Sequence, residues 1–178
     1  MPTYDAGVEL RPLTDEEFAG YRERAVPEYA GELVRARGLD RTVALRLAEE
    51  TFPVSLAAVA EGGQAMFRAV HEGVDVGWLW LGSPPAGGPG LYVYDVEVDE
   101  EHRGEGLGRA IMLAAEEVTR EHGHDRLGLN VFGWNHRAES LYRSLGYEVM
   151  STQMLKRLGN EMLDGDLPDG DTTLDGGR

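Results

Sequence analysis

Residues 103–108, Arg103-Gly-Glu-Gly-Leu-Gly108, lie between an alternating apolar run and a helical pattern. At such a junction the unpaired amides of the helix start can surround an anion, and glycines let it come close. The segment reads as a cradle for a phosphate or pyrophosphate, with a packing turn as the plainer alternative. It is not a Walker A loop, because no Gly-Lys-Ser/Thr follows, and its glycines are spaced G-x-G-x-G rather than G-x-G-x-x-G. Upstream, Asp95 and Glu97 stand one strand repeat apart on one face, where a carboxylate can take a proton. The same alternation assigns Tyr92 and Tyr94 to the opposite face. Downstream, Asn135 precedes a short helix and could cap it. Tyr142 falls on the stripe Ala138, Leu141, Leu145 and by position alone reads as a core aromatic. His122, His124 and His136 lack a third ligand at motif spacing, so no metal is expected.

The elements that must position these residues follow from periodicity. Val8 to Leu10 reads as a first strand, and Thr14 with Glu17 as a helix start whose pattern runs to Gly38, interrupted at Pro27. Asp40 restarts a second helix towards Phe52. Gln64 to Val70 and Val74 to Leu81 form a hairpin, with Trp78 and Trp80 as core. Leu91 to Val98 is the strongest strand, and Leu107, Ala110, Ile111, Ala114, Ala115 and Val118 give the next helix a sheet-packing stripe. Leu127 to Phe132 then reads as a strand, Ala138 to Leu145 as a helix, and Tyr147 to Val149 and Thr152 to Leu155 as two last strands. Alternation from residue 91 onwards requires a parallel strand pair while the middle reads antiparallel, which makes a mixed α/β sandwich.

Composition narrows the function. The chain has 178 residues, enough for one domain, and its net charge of -15 disfavours nucleic acid. Residues 1–158 are expected to form that domain, and 159–178 an acidic, Gly/Asp-rich flexible tail. Without the tail the body still carries -10, a field that attracts cations. The absence of Cys excludes disulfides, thiolate zinc sites and a cysteine nucleophile. No run is long and apolar enough for a membrane span, and the opening Met-Pro-Thr-Tyr-Asp lacks the features of a signal peptide, so a cytoplasmic protein is expected.

Two segments carry a family resemblance. Val96-Glu-Val-Asp-Glu-Glu-His-Arg-Gly-Glu-Gly-Leu-Gly-Arg-Ala-Ile111 resembles the signature of the GNAT superfamily of acyl-CoA-dependent N-acyltransferases. That superfamily's pyrophosphate loop reads Arg or Gln, two residues, Gly, one residue, then Gly or Ala, and Arg103, Gly106 and Gly108 fill those positions. Leu129-Asn-Val-Phe-Gly-Trp-Asn-His-Arg-Ala-Glu-Ser-Leu-Tyr-Arg-Ser-Leu-Gly-Tyr147 is similar to its second motif, with Asn135 before a helix and Tyr142 on it. The resemblance implies a mostly antiparallel sheet flanked by helices, whose parallel fourth and fifth strands splay around the pantetheine arm of acetyl-CoA. Val96, Glu97 and Val98 would offer backbone groups to the arm. Arg103, Gly104, Gly106, Leu107, Gly108 and Arg109 would hold the pyrophosphate, and Asn135 would touch the arm from the other wall. Tyr142, with an ordinary pKa of ~10, suits protonation of a thiolate whose conjugate acid lies near ~8.5. Glu97 is the expected base, acting directly or through water, with an ion pair to an arginine as its alternative. The reaction implied is acetyl transfer to a primary amine within a ternary complex. A cationic acceptor such as a polyamine, an aminoglycoside-like compound or a basic protein terminus fits the field, and a homodimer is compatible. A non-catalytic acyl-CoA-binding regulatory module is the rival reading, and a structural domain with only a turn at residues 103–108 a third.

Overall fold

The structure, a computed structural model, describes residues 7–156 and 158. The expected tail at 159–178 lies outside the described residues. The order is β1 (Val8–Pro12), α1 (Asp15–Arg37), α2 (Arg41–Thr51), α3 (Leu56–Glu61), β2 (Gln64–His71), β3 (Val74–Gly82), β4 (Leu91–Val98), α4 (Leu107–Glu121), β5 (Leu127–Leu129) and α5 (His136–Ser144). A single 3-10 turn, Glu100–His102, joins β4 to the glycine loop. The five strands lie in sequence order, antiparallel throughout except for the parallel pair β4 and β5.

Each face of the sheet has its own core. On one, α4 lays Leu107, Ile111, Met112, Ala115 and Val118 against Val76, Leu79 and Val93. Ile111 and Met112 are fully buried, each removing side-chain surface worth roughly 1.5–3 kcal/mol. On the other, α1, α2 and α3 bring Phe18, Tyr21, Ala44, Ala48 and Val59 over Met66 and Trp80. The capping box of α1 is as the spacing predicts, with Thr14 Oγ1 accepting from Glu17 N and Glu17 Oε2 from Thr14 N.

The structure corrects the expected secondary-structure elements in four places. α1 is one helix that runs through Pro27. The proline is exposed, so the carbonyl it leaves unpaired meets water, while buried Ala25, Val26, Ala30 and Leu33 on either side hold the helix together. α3, a six-residue helix capped by Ser55, was not expected. β5 stops at Leu129 instead of Phe132. Residues 148–156 carry no strand, and with Met150 and Met154 both 90% exposed they lack the one-sided burial that fixes strand alternation. Among the described residues no helix is long and apolar enough to cross a membrane.

Candidate active site

β4 and β5 pair only from Leu91↔Leu127 to Val93↔Leu129. Beyond Val93, β4 keeps its partner β3 but loses β5, and the two parallel strands part. Asp99 N donates to Val76 O, so by the strand's period of two the backbone groups of Asp95 and Glu97 also face β3. Those of Val96 and Val98 therefore face the gap, with the Val98 carbonyl accepting from Arg103 Nε, whereas Glu97, expected to offer its backbone to the arm with them, turns it to β3 instead. Gly77 makes this alignment possible, because a Cβ there would stand 2.2 Å from the Glu97 carbonyl oxygen and 3.1 Å from Ile111 Cδ1.

A bulge changes which side chains share a face. The register steps from Trp80↔Asp95 to Leu81↔Val93, leaving Tyr94 as an extra residue. Tyr94 consequently stacks on Trp80 at 5.1 Å and meets Tyr92 at 5.2 Å, on the α1 side of the sheet. The expected separation of Tyr92 and Tyr94 from Asp95 and Glu97 is thus wrong: all four lie on the α1 side, since one inserted residue reverses the alternation.

α1 supplies partners that the sequence did not reveal. The Tyr21 hydroxyl donates to Asp95 Oδ2 at 2.6 Å. Arg24 Nη1 lies 2.6 Å from Glu97 Oε2, and Arg103 Nη2 lies 3.4 Å from Glu97 Oε1. Glu97 is therefore held between two arginines, the alternative already weighed for it. Burial nevertheless raises its pKa, with Arg24 opposing. Burial likewise raises that of Asp95, against the Tyr21 hydrogen bond. Further along α1, the Arg35 guanidinium sits 4.4 Å from the ring centre of Trp134, whose plane stacks on Phe132. The detectable signal was polar: Tyr21, Arg24 and Glu28 recur at i, i+3 and i+7 beside the apolar stripe of a core-packing helix.

The glycine loop leaves the start of α4 open. The other four α-helices have a side-chain cap, from Thr14, Asp40, Ser55 and Asn135, whereas Gly106 gives α4 none. Gly104 and Gly106 are left-handed, with φ of 97° and 84°, and a Cβ on either would meet nothing within 4 Å. Only glycine takes this backbone shape without strain, and the open space matches an anion cradle. A cavity of about 280 Å³ runs from Glu105 and Gly106 along α4 past Arg109 and Leu113 to His71 of β2, not into the gap between β4 and β5. Gly108 instead serves packing, its Cβ position 3.4 Å from Leu141 Cδ2. The arginine side chains are engaged elsewhere. Arg103 Nε donates to Val98 O, and Arg109 donates to Ser144 Oγ on α5.

Across the gap, Asn135 caps α5 through Oδ1, which accepts from Ala138 N at 3.1 Å. Its amide nitrogen has no hydrogen-bond partner among the described residues. Tyr142 is half-buried against the α4 core, with its ring 5.8 Å from that of Tyr147. Burial and the charge of Asp95 push its pKa up to about 12. The site thus brings together Tyr142, Asp95, the open β4 backbone and the uncapped α4.

This geometry is matched by kinship. The profile of the Acetyltransferase (GNAT) family matches residues 30–147, and the chain belongs to that family. Its fold and its relatives make it an acyltransferase. It is 28% identical over 152 residues to the uncharacterized N-acetyltransferase YdgE of Bacillus subtilis (strain 168), covering 84% of this chain and 97% of that protein. The crystal structure of YycN from the same species superposes with a TM-score of 0.75 at 27% identity, over 85% of this chain and 98% of the other. A structure of AAC(6')-Iy with the bisubstrate analog CoA-S-monomethyl-acetylneamine shares the fold, with a TM-score of 0.52 at 14% identity over 84% of this chain and 97% of that one.

Proposed function

We propose that the protein transfers an acetyl group from acetyl-CoA to a primary amine by direct attack within a ternary complex. The observation that carries this reading is the uncapped, glycine-lined start of α4 beside the parted strands β4 and β5. Together they offer an anion cradle in line with β4 backbone that no strand pairs on the gap side. Acetyl-CoA supplies a thioester whose sulfur leaves as a thiolate. The amides at 106–108 hold the pyrophosphate, Val96 and Val98 pair with the pantetheine arm, and the amide nitrogen of Asn135 braces it from α5.

Two protons must move. Tyr142, kept protonated up to about pH 12, gives its proton to the departing sulfur. A carboxylate on the α1 face of β4, Glu97 or Asp95, receives the proton of the incoming ammonium, and a strand-four amide near Glu97 or Val98 meets the developing oxyanion. The acidic carboxylates of β4 and α1, within a chain of net charge -15, favour a cationic acceptor. The test is thiol release from acetyl-CoA with an aliphatic polyamine, an amino sugar and a basic peptide. Release with any of them supports the reading, and silence with all three counts against it.

A further inference from the structure

Asp95 is a half-buried carboxylate that forms no ion pair among the described residues, in a place where the neighbouring carboxylates are already matched. Arg24 is near enough to act on it electrostatically but directs its guanidinium to Glu97 at 2.6 Å and Glu28 at 3.3 Å. Arg103 also reaches Glu97. A carboxylate between two guanidiniums has to break both pairs to take a proton, whereas Asp95 keeps only neutral donors, the Tyr21 hydroxyl and the Val96 backbone N–H. The hydroxyl donor is rigid. Tyr21 is 1% exposed, and its ring packs 5.6 Å from Trp78 and 6.3 Å from Phe52.

Position favours Asp95 as well. It stands two residues past Val93, the last residue of β4 paired to β5, at the mouth of the gap. The bulge at Tyr94 turns it to the α1 side. Tyr142 packs in the α4-side core, so the acid and base candidates approach the gap from opposite sides of the sheet.

We propose that Asp95, oriented by Tyr21, is the base that receives the amine proton, in the place the sequence spacing suggests for Glu97. Glu97 then acts as a tie between α1 and the glycine loop, through Arg24 and Arg103. The assignment rests on the acetyltransferase reading. The ammonium gives one proton to Asp95, and the free amine forms the C–N bond as the C–S bond breaks. The sulfur takes the proton of Tyr142, which recovers one from the new amide nitrogen. Asp95 releases its proton to water, so each turnover yields one thiol, one amide and one proton.

Tyr21 of α1 touches Asp95, and the charged or titratable groups that act on it electrostatically are Arg24 and Glu28 of α1, Glu97 of β4 and Tyr142 of α5. Burial and the neighbouring Glu28 hold its pKa above the ordinary range of aspartate. The base works only when ionised, so kcat/KM must rise with pH through that elevated value.

The experiment measures kcat/KM against pH for wild type, Asp95→Asn, Glu97→Gln and Tyr21→Phe, with the acetyl-CoA melting shift of each. Asp95→Asn is expected to lose about 10²–10⁴-fold in kcat/KM while keeping its melting shift, and Glu97→Gln at most about tenfold. Tyr21→Phe removes a donor to the charged carboxylate, so its acid limb moves to higher pH. A merely structural Tyr21 would lower the melting temperature and leave the limb in place. If Asp95→Asn does not fold, the limb of Tyr21→Phe decides. An Asp95→Asn variant within tenfold of wild type, a Glu97→Gln variant damaged as severely as Asp95→Asn, or an unmoved limb overturns this role alone. A wild type that binds acetyl-CoA yet acetylates no amine overturns the acetyltransferase reading instead, and this role with it.

Discussion

Gly77→Ala tests whether the close approach of β3 and β4 sets the geometry of the gap. The added Cβ would lie 2.2 Å from the Glu97 carbonyl oxygen, at a distance no real pair of these atoms tolerates. The obstacle is backbone, with Ile111 Cδ1 blocking a sideways escape at 3.1 Å, so β4 itself has to retreat. Overpacking costs about 1–3 kcal/mol, and a backbone obstacle places this case at about 2–3 kcal/mol. At about 2–4 °C per kcal/mol for a chain of this size, Tm should fall by about 4–12 °C. The retreat displaces the segment that carries Asp95 and Val98, and a misplacement of about 1 Å can cost ~10²-fold in rate. The assay pairs a thermal melt with thiol release. Gly20→Ala serves as control, since Gly20 is exposed in α1 with nothing within 4 Å, and alanine there should stabilise by about 0.5–1 kcal/mol. A Gly77→Ala protein that melts with wild type and turns over normally would refute the reasoning.

Further outcomes follow from individual contacts. Tyr142→Phe should lower kcat by about 10²–10⁴-fold with a Tm close to wild type, because its hydroxyl has no hydrogen-bond partner among the described residues. With that phenol protonated up to about 12, kcat should show no alkaline decline from Tyr142 in a pH–rate profile taken to about pH 10. Arg68, 9% exposed, pairs with Asp99 at the entrance to the glycine loop and with Asp75, and stacks 4.0 Å from Trp78. Arg68→Ala should lower stability by about 1.5–3 kcal/mol in a denaturant titration and weaken acetyl-CoA binding measured by calorimetry. Gly106→Val places a β-branched residue at φ 84° in the open cradle, and should abolish the acetyl-CoA melting shift.

The legible parts of the molecule were those written in local pattern. The stripe of α4, the hairpin of β2 and β3, the cap of α1 and the glycine loop each depend on residues a few positions apart. The illegible parts depend on what lies across the fold. The bulge at Tyr94 has no mark within Leu91-Tyr-Val-Tyr-Asp-Val-Glu-Val98, because it is defined only against β3. Tyr21 and Asp95 are 74 positions apart, so their hydrogen bond left only a polar recurrence on α1. Pro27 pointed to a break, yet burial on both sides of it outweighs one missing hydrogen bond. Composition made the protein acidic, but it is the packing of α1 on β4 that gives Asp95 and Glu97 their partners beside the parted strands.

The most direct test of the central claim is the melting temperature of the protein with and without acetyl-CoA, since it needs no knowledge of the acceptor. At 100 times its dissociation constant the ligand stabilises by ~2.7 kcal/mol, a rise of about 5–11 °C at this chain length. A rise of that size, lost in Gly106→Val, is the predicted result. An unchanged melt at saturating acetyl-CoA, with other acyl-CoAs equally silent, would contradict the account.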